Sequence, residues 1–136
     1  MEDADGISSA ALIKQAFGGD TILVDYPGMI DALETLRNEE KLKELFICDL
    51  GLNKQNSDCF VDILTELRKK YVSVTYIDHH NIDSKIITKL KKIKVKLIHD
   101  TSECTSVLVY NAFKKKIART FYIHCSMWCN HRLYGE

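Results

Sequence analysis

The feature that most constrains this chain is a repeated couplet. A short apolar run stops at an acid or a histidine, and an amphipathic stretch follows it. Leu45-Phe46-Ile47-Cys48-Asp49-Leu50 is one such run, Val72-Ser73-Val74-Thr75-Tyr76-Ile77 ending in Asp78-His79-His80 is a second, and Val95-Lys96-Leu97-Ile98 entering His99-Asp100 is a third. Thr21-Ile22-Leu23-Val24-Asp25-Tyr26, closed by Pro27-Gly28, reads as another strand. The stretches between them have helical spacing. Ser8 to Phe17 is a short helix stopped by Gly18-Gly19, and Met29 to about Leu45 repeats Ile30, Leu33, Leu36, Leu42 and Leu45. Ser57 is placed to cap a helix through Cys59, Phe60, Ile63, Leu64 and Leu67, and Asp83 or Ser84 one through Ile86, Ile87, Leu90 and Ile93. Thr105 to Phe113 is apolar and helical. Strands that alternate with helices are joined by right-handed crossovers and lie parallel. The expected fold is α/β, with a mostly parallel sheet of about four to five strands and helices on both faces. Asp3-Ala4-Asp5-Gly6 is the kind of turn that normally follows a strand, and the expected first strand is missing.

A chain of 136 residues fits one domain, spanning 1–136. Its 46% hydrophobic and 28% charged composition excludes a disordered chain. Lys+Arg and Asp+Glu number 19 each, which excludes the basic balance that holds nucleic acid by charge alone. No apolar run nears the ~18 residues that span a bilayer. Met1-Glu2-Asp3-Ala4-Asp5 is too acidic to open a signal peptide, so the expectation is a cytoplasmic protein without a membrane partner. Cys48, Cys59, Cys104, Cys125 and Cys129 are odd in number and irregularly spaced, which favours free, mostly buried thiols.

In open parallel sheets, ligands bind outside the carboxyl ends of the strands. Asp49 and Asp78-His79-His80 close two strands, and Asp3 and Asp5 lie where a first strand would end. Singly, an acid at a strand end is a helix cap or a solvated charge, and Asp-Gly is a turn. Brought to one edge, the carboxylates repel one another, and a divalent cation relieves that. A carboxylate and imidazole mixture suits Mn²⁺ or Mg²⁺.

Asp3-Ala4-Asp5-Gly6-Ile7-Ser8-Ser9-Ala10-Ala11-Leu12, then Cys48-Asp49, then Asp78-His79-His80, resemble the first three motifs of the DHH phosphoesterase superfamily. Its members include RecJ-type single-strand exonucleases, nano-RNases, cyclic-dinucleotide phosphodiesterases and manganese pyrophosphatases. The likeness is greatest to the archaeal RecJ-like branch and covers about residues 3–113 of an N-terminal DHH domain, leaving 117–136 as a weakly assigned tail. Glu103-Cys104-Thr105-Ser106 is similar to a Thr/Ser turn that many members carry.

The resemblance implies that Asp3 and Asp5 each ligate one of two metal ions, that Asp49 bridges them and that His79 ligates the second. It gives His80 and Asp78 the catalytic places, His80 facing the scissile phosphate or lying near it and Asp78 orienting the histidines. The implied activity is that of a hydrolase. Mn²⁺, or Mg²⁺, would support two-metal hydrolysis of phosphodiester bonds in single-stranded nucleic acid, short oligonucleotides or nucleotides, as in an exonuclease. Three departures set an alternative beside it. Met1 stands where the first motif has a metal-binding histidine. Trp128-Cys129-Asn130-His131-Arg132-Leu133-Tyr134 has no acid where a fourth-motif aspartate is expected. Glu136 ends the chain without a second, substrate-binding domain. The two-metal site is then incomplete. The alternative is a degenerate RecJ-like module that binds replication proteins, of the GINS or helicase type, or nucleic acid.

Three other features stay open. His124-Cys125 and Cys129-x-His131 have a spacing that permits zinc, or they belong to an irregular tail. Lys89, Lys91, Lys92, Lys94 and Lys96, and Lys114-Lys115-Lys116, are solvated faces or phosphate contacts. Phe121, Tyr122, Trp128 and Tyr134 either pack or stack on bases.

Overall fold

The structure is a computed structural model that describes residues 4–117. Asp3, the fourth-motif region at 128–134, and the Cys/His and aromatic residues of the tail lie outside the described residues.

The described chain runs α1 (Ala4–Phe17), α2 (Met29–Arg37), β1 (Glu44–Cys48), α3 (Ser57–Lys69), β2 (Ser73–Asp78), α4 (Ser84–Lys92), β3 (Lys96–His99) and α5 (Thr105–Phe113), then a 3₁₀ turn at Lys114–Lys116. The strands form one sheet in the order β1-β2-β3, both pairings parallel. The register sets Cys48 beside Ile77 and Asp78 beside His99, so the carboxyl ends of all three strands finish together. That is the edge at which acids and histidines were expected to gather.

Side-chain alternation along β2 sorts the two faces. Val74 and Tyr76 pack with Met29 and Leu33 of α2, with Phe60, Leu64 and Leu67 of α3, and with Ile86 and Leu90 of α4. Ile77 faces the other way, against Leu12 of α1 and Leu108 and Val109 of α5. Phe60 and Tyr76 stack with ring centroids 5.3 Å apart. On the α1/α5 face Phe17 lies 4.6 Å from Phe46 and 4.9 Å from Phe113. Lys116 Nζ sits 4.4 Å over Phe17 and Lys96 Nζ 5.4 Å from the Phe113 ring, so these two lysines cover aromatic surface.

The sheet has three strands, not the expected four to five. Thr21–Tyr26 is the segment that fails to pair among the described residues. Its branched residues satisfy strand propensity, but that propensity expresses fit to a pleated, half-buried surface. Ile22 and Leu23 are instead 58% and 62% exposed. The long amphipathic stretch from Met29 also divides: α2 stops at Arg37, and Leu42 and Leu45 reach the same core from a connecting turn and from β1. The near-helical spacing there was the accident of three elements facing one core. The helix expected at Ser57 begins there with Asn56 as its cap position, while Asp83 caps α4 through a 2.8 Å bond from the Lys85 N–H. Cys48 and Cys59 are free and half-buried, whereas Cys104 is disulfide-bonded, contrary to the expectation of free thiols. Among the described residues no helix is long and apolar enough to cross a membrane.

Candidate metal centre

Asp49 follows the last residue of β1. Its N–H donates to the Ile77 carbonyl at 3.0 Å, extending the ladder by one bond. Its φ of 58° lies in the left-handed region, which aspartate enters more readily than most residues. The carboxylate thereby ends up inside the molecule, its side chain only 1% exposed. Asp5 enters from the first turn of α1 with its side chain 2% exposed. Asp78, fully buried, and then His79 and His80 arrive at the end of β2.

These groups meet. His79 Nε2 lies 3.2 Å from Asp49 Oδ1 and 3.8 Å from Asp5 Oδ2, and His80 Nδ1 lies 4.0 Å from Asp49 Oδ1. Asp49, His79 and His80 each offer one donor atom, and all three atoms lie within 4.8 Å of one another. Donors bonded to one cation at about 2.0–2.6 Å must approach each other to this order of distance. The mixture of oxygen and imidazole nitrogen fits a divalent cation such as Mn²⁺ better than a thiolate-preferring metal.

Asp78 stands behind this group. Its Oδ1 is 2.7 Å from His80 Nδ1, and its Oδ2 accepts the His80 main-chain N–H at 3.2 Å. The expectation was that Asp78 orients both histidines; these contacts hold His80 alone. The His80 carbonyl in turn meets His99 Nε2. His80 is therefore held at its amide, its carbonyl and one ring nitrogen. The remaining nitrogen, Nε2, faces Tyr26 Oη at 3.4 Å. Gly51 makes that approach possible: a Cβ there would stand 3.1 Å from both His80 Cγ and Tyr26 Oη.

Asp5 has a second role that sequence reasoning missed. Helix α5 has Cys104 at its cap position, with no side-chain cap bond of its own. The Asp5 carboxylate supplies that cap from the far end of the chain. Oδ2 accepts the Thr105 N–H at 2.9 Å and Oδ1 the Ser106 N–H at 2.8 Å. The Thr105 hydroxyl then donates to Asp49 Oδ1 at 3.1 Å. The Thr-Ser pair opening a helix was visible as a motif, but no spacing in the sequence connects it to Asp5. Tyr26, Gly51 and Tyr76 were missed likewise, being ordinary residue types without a local pattern; His99 was legible as a strand end, but its contact with the His80 carbonyl was not.

Buried carboxylates also act on their neighbours. Burial, and then the charges of Asp49, Asp5 and Asp78, push the Cys48 thiol up to about 12, so it stays protonated at neutral pH. Burial, and then Asp78, push the Tyr76 phenol far above its usual range. Tyr76 therefore keeps its proton and donates it to the Leu50 carbonyl, with Asp78 Oδ2 at 3.4 Å. Tyr76→Phe should cost about 1 kcal/mol of stability, because the partly buried Leu50 carbonyl loses its donor. Urea unfolding of the two chains measures this, and equal midpoints and slopes would contradict it.

The sequence matches the model of the DHH family, N-terminal domain, over residues 1–127. The chain belongs to the DHH family. No curated protein and no solved structure matches it. In this DHH phosphoesterase domain, Asp49, His79 and His80 form the candidate metal-binding group. Asp5 adjoins it through His79, and Asp78 supports it through His80.

Proposed function

We propose that this DHH domain is a RecJ-like hydrolase acting with Mn²⁺ or Mg²⁺ on phosphodiester bonds in single-stranded nucleic acid or short oligonucleotides. One observation carries the proposal. Asp49 Oδ1 and His79 Nε2 stand 3.2 Å apart, with His80 beside them, at the carboxyl edge of a parallel sheet. Divalent cations bound to such donors acidify a water and neutralise charge on phosphoryl oxygens. The chain's own residues do the rest. Asp49 and His79 hold the cation, with Asp5 next to them and Asp3, outside the described residues, as the further ligand the resemblance implies. Asp78 holds the ring of His80 at Nδ1, which leaves Nε2, beside Tyr26 Oη, as the ring nitrogen that meets a phosphoryl oxygen.

A second reading has its own support. Among the described residues the donor group numbers three, and both Asp5 oxygens already accept amide protons from α5. With Asp5 committed to α5, the domain in this reading serves as a module that binds nucleic acid or replication proteins without turnover. Release of mononucleotides from a labelled single strand separates the two. Slow release that requires Mn²⁺ and disappears in His79→Ala supports hydrolysis. Retention of the strand with no release at any Mn²⁺ concentration supports the binding module.

A further inference from the structure

We propose that Thr105 is a positioning residue of the metal centre, whose hydroxyl holds the Asp49 carboxylate in the orientation a cation needs. The inference rests on the metal-dependent reading above and assigns a role to a residue outside the donor group.

Thr105 is fully buried, and it is the first residue of α5. A threonine hydroxyl near a helix start commonly bonds to neighbouring backbone of its own segment. Here it does not: its bond runs to Asp49 Oδ1, 56 residues away. That oxygen is the atom that His79 Nε2 approaches at 3.2 Å and His80 Nδ1 at 4.0 Å. The hydroxyl therefore touches the oxygen around which the donor group gathers. Its own main-chain N–H is fixed by Asp5 Oδ2, so the residue that orients one carboxylate is itself anchored by another. Asp49 also has a left-handed backbone, which sets the direction of its Cα–Cβ bond but not the rotation of its carboxylate. A donor at Oδ1 limits that rotation. A carboxylate free to rotate must lose that freedom when it ligates, whereas one already held loses none.

The substitution that tests this leaves the helix start intact. Thr105→Val keeps the shape and the main-chain N–H on which Asp5 depends, and removes only the hydroxyl. Thr105→Ser keeps the hydroxyl. Titration calorimetry of the full chain with Mn²⁺ should show affinity about 10- to 100-fold weaker for the valine variant, in the range typical of groups that orient metal ligands. The serine variant should bind within a few-fold of the parent chain. Thermal unfolding without metal reports whether each variant folds. If valine is not tolerated, Thr105→Ala should show the same loss of affinity. Mn²⁺ binding by the hydroxyl-less variants within twofold of the parent overturns the proposal, and so does a serine variant as weak as valine. A parent chain that takes up no Mn²⁺ overturns the metal reading itself, and this proposal with it.

Discussion

Asp49→Asn is expected to lose Mn²⁺ binding by a hundredfold or more, so that calorimetry at concentrations saturating the parent chain shows essentially no heat of binding. Three effects combine. The substitution removes the negative charge of the one carboxylate in the three-residue donor group. It replaces one of two equivalent oxygens by an amide nitrogen that cannot ligate. It also leaves His79 Nε2, 3.2 Å away, beside a neutral partner. A hundredfold loss corresponds to about 2.7 kcal/mol, a modest figure for removing a charged group from a buried cluster. Asparagine is the informative choice because the backbone at this position has φ 58°. Alanine would add the cost of a left-handed conformation, about 1–2 kcal/mol, and mix a folding effect with a binding effect. Asparagine tolerates that conformation nearly as well as aspartate. Unchanged binding by Asp49→Asn would remove Asp49 from the site.

The second large effect belongs to Asp78. In the proposed arrangement Asp49 and His79 hold the cation and Asp78 bonds to His80, which faces the phosphate, so Asp78→Asn should leave Mn²⁺ affinity within a few-fold of the parent. Hydrolysis should nevertheless fall by about 10²–10⁴-fold in kcat, the range associated with a misplaced acid–base group. The reason is a mismatch of hydrogens. The carboxylate accepts from His80 at two atoms, the ring Nδ1 at 2.7 Å and the main-chain N–H at 3.2 Å. An amide can accept at only one of them and presents N–H donors to the other. His80 must then turn, and Nε2 no longer stands where it would meet a phosphoryl oxygen. Steady-state kinetics beside calorimetry read the two quantities separately. A parallel loss of metal affinity and turnover would show instead that Asp78 supports the whole cluster and not His80 in particular.

The sequence showed the parts of this centre that depend on strand ends. Each of β1, β2 and β3 ends at a residue with chemistry, and the parallel register brings Cys48, Ile77 and Ile98 level, so Asp49, Asp78 and His99 fall in one row. Burial on both faces of β2 leaves no freedom to slip, which is why counting from the apolar run worked. The stretch Thr21–Tyr26 was misread for the same physical reason in reverse. Its composition suits a strand, but the chain leaves α1 through Gly18 and Gly19 at positive φ and crosses the surface. Tyr26 nonetheless reaches His80, a contact between residues 54 apart with no local signature. The contact between Asp5 and Thr105 was hidden in the same way. Single-sequence patterns report what a residue does to its own turn of helix or its own strand, and these side chains act across the molecule.

The bond from Thr105 to Asp5 also has a consequence in time. The two residues are 100 positions apart, so a ribosome adding about 5–20 residues per second makes Asp5 roughly 5–20 s before the amide that will bind it. Through that interval the Asp5 carboxylate must stay hydrated, because burying it without those donors is costly. Helix α1 consequently cannot settle on the sheet as it emerges, however early β1 and β2 pair. The side of the domain built by α1 and α5 is therefore expected to close last, when the two distant segments of the nascent chain meet.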